Sequence, residues 1–340
     1  MGAATLADVA ARAGVSVATA SRALSGSRPV APDKRRRVLE ASRALGYQPN
    51  AVASALRASR TRTVGLLLPR YSTLFLSALI EAVSTSLDDH DVALVLRHAD
   101  PDEAFDTHVR ALRARRVDGI VLSAPSIEAG RAAVAGAGDV PVVQVGRFVD
   151  PDATDSVGLD EDRATGLLSD HLAAGGARHA LAVGLDPATP ADRRRLAALR
   201  TAGEQARLSL RVAAFDGSDL NGGIRAGERL VAQGFSGHDS IVAANDEVAA
   251  GLMAVLRLNA VRVPGDVQVA SLLDLTPGAR THAVTTLRHP WPAMGREAVR
   301  LLQQPRRPED DVARRVQLAP ALVIAPSTRS PETVSAQEKS

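Results

Sequence analysis

The sequence predicts an α/β protein: a small N-terminal helix-turn-helix headpiece, then a core of two doubly wound parallel-sheet subdomains. Three observations predict it. Residues 6–24 carry two short helical patterns around a glycine. From residue 63 onward, short apolar runs alternate with amphipathic stretches. That rhythm then restarts near residue 164. Strands alternating with helices imply parallel sheets joined by right-handed crossovers.

In the headpiece, Leu6, Val9, Ala10 and Ala13 share one helical face by i, i+3, i+4 spacing. Gly14 permits a tight turn between two helices. Ser16 stands where the N-cap of a second helix, Val17–Leu24, is wanted. Lys34-Arg35-Arg36-Arg37 follow on a third helix. An ordinary helical hairpin would satisfy the apolar spacing equally well, and charge separates the two readings. Residues 1–62 hold 11 Lys and Arg against 3 Asp and Glu, a net +8 in a chain whose total is +3, so the remainder carries −5. A basic headpiece on an acidic body is the electrostatic footprint of nucleic-acid binding. The second helix of such a pair lies in the major groove with its N-terminal residues against base edges. Val17, Ala18 and Arg22 are therefore expected to face the groove floor, and Ser16, Thr19 and Ser21 mainly the phosphates.

In the core, Thr63–Pro69 reads as a buried strand, followed by helix Leu74–His90 and strand Val92–Arg97. Helix Pro101–Arg115, strand Gly119–Leu122, a helix over 127–137 and strand Val140–Val145 complete the first half. The second half runs through Ala164–Ala174, Ala180–Val183, Arg193–Leu208, Gly223–Gln233, Ser240–Ala243, Val248–Leu258 and Val267–Leu272. Ligands of open α/β sheets sit beyond the carboxyl ends of the strands. The cleft between the halves is thus the expected small-molecule site.

Composition narrows the rest. A chain of 340 residues has room for two or three domains. There is no cysteine, so disulfides, thiolate metal sites and cysteine nucleophiles are excluded. No apolar run is long enough for an export signal or a membrane span, and a cytoplasmic protein without membrane contact is expected. The eight histidines show no metal-binding spacing. No nucleophile elbow, phosphate loop or paired-carboxylate signature can be placed. Neither catalytic residues nor a metal or cofactor are expected.

The stretch Leu6-Ala7-Asp8-Val9-Ala10, Ala13-Gly14-Val15-Ser16, Thr19 and Ser21-Arg22-Ala23-Leu24, then Gly46-Tyr47-Gln48-Pro49-Asn50 and Ala51–Arg57, closely resembles the LacI/GalR family of transcriptional repressors. The resemblance extends to about Thr328. It implies a periplasmic-binding-protein-like core, crossed by the chain three times between subdomains, and a homodimer that binds a pseudopalindromic operator. It adds Thr5, Leu6, Tyr47, Asn50, Ala53 and Leu56 to the DNA-contacting positions. Residues 51–57 take the place of a hinge helix that folds on the operator, with Leu56 as a minor-groove wedge. Seven residues cannot hold a helix alone in water, so such folding would couple to binding.

For the cleft, the resemblance implies effector contacts from Tyr71, Phe75, Arg147, Arg195, Asn245, Asp246 and Asp274. The chain also departs from the family pattern. Gly146 replaces the usual Asp before Arg147, and Ser271-Leu272-Leu273-Asp274 replaces Gly-Phe-Asp-Asp. An effector that is sugar-like or an anionic metabolite is expected, with a shift toward the anionic or less hydroxylated kind. Arg147 and Arg195 could equally be solvated arginines, and Asn245-Asp246 also suits a helix N-cap. A solute-binding protein is the competing class, but it has no use for a basic headpiece. An effector-independent DNA-binding protein is a third. The expected boundaries are 1–49 for the headpiece, 50–61 for the hinge and 62–328 for the core. Within the core the N-subdomain comprises about 62–160 and 290–317, and the C-subdomain about 161–289 and 318–328. A disordered polar tail is expected over 329–340.

Overall fold

The computed structural model describes residues 4–25, 29–47, 61–70, 73–100, 103–146, 154–235, 237–274, 283–304 and 312–330. The chain divides into two compact units, residues 1–62 and 63–340.

The first unit is built on α1 (Leu6–Ala13), α2 (Val17–Ser25) and α3 (Pro32–Ala44). Thr5 opens α1 with a capping box. Its Oγ1 accepts from the Asp8 backbone N–H at 3.3 Å, while Asp8 Oδ2 accepts from the Thr5 N–H at 2.8 Å. Two orphan donors are thus satisfied reciprocally. The Thr5 hydroxyl, which donates to Asp8 Oδ2 at 2.7 Å, and the Thr5 N–H together hold the Asp8 carboxyl below its usual pKa. Gly14 closes α1 at φ +64, a left-handed conformation that favours glycine, and its N–H reaches the Ala10 and Ala11 carbonyls. Pro32 starts α3 at its first turn, where the missing N–H costs nothing. Val9, Ala10, Ala13, Ala20, Ala23, Val38 and Ala41 form the small core of this unit. Alanines predominate there, so the three helices can approach closely.

The second unit holds two six-stranded sheets. The first comprises β1 (Thr63–Pro69), β2 (Ala93–Ala99), β3 (Gly119–Leu122), β4 (Val142–Val145), β5 (Asp155–Leu159) and β11 (Arg315–Leu318). Their order is β11-β5-β4-β3-β1-β2, with every neighbouring pair parallel. Helices α4 (Thr73–Asp88), α5 (Phe105–Ala114), α6 (Ile127–Ala137) and α11 (Trp291–Gln303) accompany it. The second sheet comprises β6 (His179–Val183), β7 (Ser209–Val212), β8 (Ser240–Ala243), β9 (Gln268–Ser271), β10 (Thr285–Arg288) and β12 (Ala321–Val323). Its order is β12-β10-β9-β8-β6-β7, parallel except for the β10–β12 pair. Helices α7 (Glu161–Ala174), α8 (Pro190–Gln205), α9 (Leu220–Gln233) and α10 (Asp246–Leu258) belong to it.

Strand β1 shows why the apolar run has no alternation. Leu66 and Leu68 enter one hydrophobic cluster with α4 and α11, and Leu67 enters the other with α5 and α6. All three are fully buried. Each such leucine contributes about 1.5–3 kcal/mol over an exposed one. The chain passes between the sheets after Leu159, after Arg288 and after Leu318. The last passage spans two residues and forces β12 to run antiparallel to β10.

Several features differ from the sequence expectation. Strands β5, β7, β10, β11 and β12 and helix α11 are absent from the element series above. Strands β7, β11 and β12 are edge strands, exposed or half-exposed throughout, so they lack a continuous apolar signature. Helix α8 starts at Pro190, three residues before the expected Arg193, because Thr189 caps it through the Asp192 N–H. Helix α9 starts at Leu220 because Asp219 caps it through the Gly222 N–H. Helix α5 starts at Phe105, not Pro101. Arg329, which the sequence expectation puts in the disordered tail, is tied down. Its backbone N–H donates to Gln268 Oε1 at 2.9 Å and its guanidinium to the Gly265 carbonyl at 2.8 Å. Residues 331–340 lie outside the described residues.

Candidate DNA interface and ligand cleft

Helix α2 presents two unlike faces. Ala20 and Ala23 are buried against α1 and α3, whereas Val17, Ala18 and Arg22 are exposed. Ala18 and Arg22, four residues apart, share a face, and Val17 stands in the adjoining first turn, so the three span an arc of about 140°. Val17 is 48% exposed, an isopropyl group offered to water in the first turn. Among the described residues Arg22 has no ion-pair partner. Ser16 caps the helix: its Oγ accepts from the Thr19 N–H at 3.2 Å and lies 2.9 Å from Thr19 Oγ1. Ser16 and Thr19 thus fix each other at the helix start, and Ser21 is half-buried.

The other expected DNA-contacting positions fall differently. Thr5 is the α1 cap. Leu6 and Tyr47 pack on the rim of the headpiece core, and the Ser42 hydroxyl donates to the Tyr47 carbonyl at 3.1 Å. Asn50, Ala53 and Leu56 lie outside the described residues. On α3, Arg36 pairs with Asp33 and Glu40, and Arg37 with Asp33. Lys34 and Arg35 make no ion pair among the described residues. The basic run therefore keeps its most available charge on its first two members.

In the core, the expected cleft positions are only partly assembled. Asn245 and Asp246 follow β8, and Asp274 follows β9. The Asp246 N–H donates to the Leu273 carbonyl at 3.1 Å, which brings these two loops together. The Asn245 side chain caps α10, with Oδ1 accepting from the Val248 N–H at 2.9 Å and Nδ2 donating to the Ser218 carbonyl at 2.8 Å. Asp274 is 1% exposed, and its Oδ2 lies 3.9 Å from Arg288 Nε. Its carbonyl accepts from Trp291 Nε1 at 3.3 Å. Trp291 stacks on His289 with ring centroids 5.2 Å apart. Leu273 is buried in the same cluster as Val145, Trp291 and Met294, so a residue of the second sheet packs into the core of the first.

Arg195 is 3% exposed, and its Nη2 donates to Glu161 Oε1 at 3.2 Å. Of the two alternatives at this position, the solvated arginine is ruled out. Glu161 was not among the expected site residues. It follows β5 inside an acidic helix start, Asp160-Glu161-Asp162, where carboxylates ordinarily complement the helix dipole. Nothing local marks it as an arginine partner 34 positions away. Tyr71 and Arg147 lie outside the described residues, as does the side chain of Phe75 in the first turn of α4. Among the described residues no cluster of histidines and carboxylates could hold a metal ion, and no helix is long and apolar enough to cross a membrane.

Comparison with known proteins converges on one class. The profile of the bacterial regulatory proteins of the lacI family matches residues 5–50, and that of the periplasmic binding protein-like domain matches residues 169–328. Catabolite control protein A of Staphylococcus xylosus is 32% identical over 273 residues, 78% of this chain and 81% of that protein. The ribose operon repressor of Halalkalibacterium halodurans is 28% identical over 96% of this chain and 98% of its own length. Among solved structures, the lac repressor dimer bound to operator and the anti-inducer ONPF superposes with a TM-score of 0.83 at 24% identity. That match covers 97% of this chain and all of the other. The transcriptional regulator CelR in complex with cellobiose superposes at 0.66 with 26% identity, covering 95% of this chain and 99% of that one. The chain belongs to the lacI family of bacterial regulatory proteins. It is a DNA-binding transcriptional regulator with a lac repressor-like fold.

Proposed function

We propose that this regulator is an effector-controlled repressor that binds a pseudopalindromic operator as a homodimer in the cytoplasm. It works by binding and not by catalysis. The observation that carries the reading is the exposed Val17–Ala18–Arg22 face on an otherwise packed helix. Two such faces related by a two-fold axis read two half-sites. Val17 and Ala18 offer methyl contacts, and Arg22 offers a fork that matches guanine. Ser16 and Thr19 lie nearest the phosphates.

The effector is placed in the cleft between the two sheets, with Arg195, Asn245 and Asp246 at its second-sheet wall. The charge of Arg195 is already met by Glu161, and Arg288 stands 3.9 Å from Asp274. These pairings favour an uncharged hydrogen-bonding ligand over an anion, which would have to displace Glu161. The loss of two carboxylates, at Gly146 and Leu273, favours a ligand with fewer hydroxyls than a free monosaccharide. Effector binding would shift the two subdomains relative to each other and so bias folding of residues 51–57 on DNA.

Two measurements test this. Selection of bound sequences from a random duplex pool should return a two-fold symmetric site, and an asymmetric site would remove the dimeric reading. A thermal-shift screen of neutral sugars, glycosides and anionic metabolites should then find a ligand that raises the midpoint. Arg195→Ala should abolish the response to that ligand while leaving operator affinity within about threefold, a change of under ~1 kcal/mol. An unaltered response would remove Arg195 from the site.

A further inference from the structure

We infer that Leu273 is an apolar latch between the two subdomains of the core. It is carried by the second sheet, its side chain is seated in the core of the first, and it fixes their mutual orientation before any ligand is bound. The inference deepens the effector reading above, because the latch stands at the wall of the proposed cleft. The closing experiment uses no ligand and judges the latch apart from that reading.

The backbone after β9 presents this leucine firmly. The Ser271 hydroxyl accepts from the Leu273 N–H at 3.4 Å and donates to the Leu273 carbonyl at 3.1 Å, a local side-chain turn. That carbonyl also accepts from the Asp246 N–H at 3.1 Å, at the start of α10. On either side, the Leu272 N–H donates to the Ala243 carbonyl at 2.9 Å and the Asp274 N–H to the Leu287 carbonyl at 3.3 Å. Residues 272–274 are thus pinned to the ends of β8 and β10. From this pinned segment two adjacent leucines enter different cores. Leu272 joins the second sheet's own cluster with Ala244 and Leu287, whereas Leu273 joins the first sheet's cluster with Val145, Trp291 and Met294.

The first subdomain meets it with Trp291, which opens α11 just after the second passage between the sheets. The indole Nε1 donates to the Asp274 carbonyl at 3.3 Å, so the residue next to the latch is hydrogen-bonded across the joint. Leu273 and Trp291 are both buried, and parting the subdomains here would put both side chains into water, which the hydrophobic effect opposes. The three chain passages link the sheets covalently without choosing one orientation, and contacts of this kind make the choice. A carboxylate, which the family pattern places at 273, would have to leave the apolar cluster for water or find a cation. Leucine gains by staying. A ligand that reorients the subdomains has therefore to draw Leu273 out of the first sheet's core.

Two properties of the chain make the test direct: it has one tryptophan, Trp291, and no cysteine. Acrylamide quenching of Trp291 in the full-length protein reads the joint. A spin-label pair at Ala135→Cys on α6 and Ala232→Cys on α9, diluted with unlabelled protein, reads the separation of the subdomains. Leu273→Asn, similar in size but polar, should raise the quenching constant severalfold and broaden or shift the distance distribution, with helical circular dichroism retained. Leu273→Val, the milder variant should Leu273→Asn not fold, should move both readings the same way by less. Leu199→Ala, at a buried leucine of the second sheet's own cluster, should lower the thermal midpoint and leave both readings as in the wild type. A wild-type distance distribution in the Leu273 variants overturns the latch, even if Trp291 is more exposed, because Leu273 would then pack only locally. Equal changes in Leu199→Ala overturn it too, as general loosening. If the ligand screen finds nothing, the effector reading fails on its own, and these measurements still decide the latch.

Discussion

Arg22 stands apart from the arginines of this chain that are held in ion pairs. Arg36, Arg195, Arg262 and Arg314 each have a carboxylate partner. Arg22 has none among the described residues and stands on the exposed face with Val17 and Ala18. A bidentate contact to guanine is worth about 1–3 kcal/mol of discrimination. Arg22→Ala is expected to relax specificity at one base pair per half-site, by roughly 5- to 150-fold at that position. Competition among operator variants checks this, and equal weakening on every sequence would mean that Arg22 meets only backbone. The residue scale also shows what packing adds to a reading by resemblance. Asn245 is open to two readings in the sequence, ligand contact or helix cap. The cap is realised in the structure, with both side-chain ends engaged. Asp274 is buried, with Arg288 Nε 3.9 Å from its Oδ2.

At the scale of elements, helix pairs are set by what their glycines permit. Gly251 on α10 faces α9 so closely that a Cβ there would lie 2.1 Å from the Leu220 carbonyl oxygen. Backbone cannot yield as a flexible side chain can. Gly251→Ala should therefore force α9 and α10 apart, at an overpacking cost of about 1–3 kcal/mol. For a unit of this size that corresponds to a fall in thermal midpoint of about 2–4 °C per kcal/mol. Gly166 is the matched control, since its added Cβ meets nothing within 4 Å. In the helix interior, exposed Gly-to-Ala exchange is favourable by about 0.8–1 kcal/mol, so Gly166→Ala should be neutral or stabilising. A midpoint for Gly251→Ala at or above wild type would show that the contact relaxes freely. Helix starts belong to this scale too. Thr189 and Asp219 extend α8 and α9 beyond the periodic apolar residues that mark them. Caps are polar and lie outside the apolar stripe, which is why hydrophobic spacing alone places these starts too late.

At the scale of the whole molecule, the second sheet is closed by the chain's last described residues. The His171 Nε2 lies 2.7 Å from Thr328 Oγ1, which lies 2.6 Å from Thr285 Oγ1, which in turn donates to the Ala325 carbonyl at 3.1 Å. Both hydroxyls reach the Ala325 carbonyl, Thr285 at 3.1 Å and Thr328 at 3.5 Å. Burial, without a compensating carboxylate, pushes the His171 pKa down from its ordinary 6.5. The unfolded chain therefore takes up a proton near pH 6.5 that the folded chain refuses. The stability this group contributes is complete above that pH and declines as the pH falls below it. Thermal midpoints between pH 7.5 and 5.5 should fall more steeply in the wild type than in His171→Gln, which keeps a donor to Thr328 and cannot titrate. Parallel slopes would place the acid sensitivity elsewhere, for instance at His238, which burial and Arg211 also push down.

What the sequence determined by itself was local and periodic. Gly14 between two amphipathic patterns defined the headpiece turn. The uninterrupted Val64–Leu68 run announced a strand buried on both faces, and the lopsided charge announced nucleic acid. Each signal is carried by residues within one turn or one strand of each other, or by composition, so no folding is needed to read it. The tertiary structure alone decided which polar groups meet. Arg195 and Glu161 are 34 positions apart, His171 and Thr328 157 apart, and Leu273 reaches the other sheet's core. Such encounters depend on strand order and on three passages between the subdomains. Strand order is settled by global packing, and it leaves no period in the chain to be read.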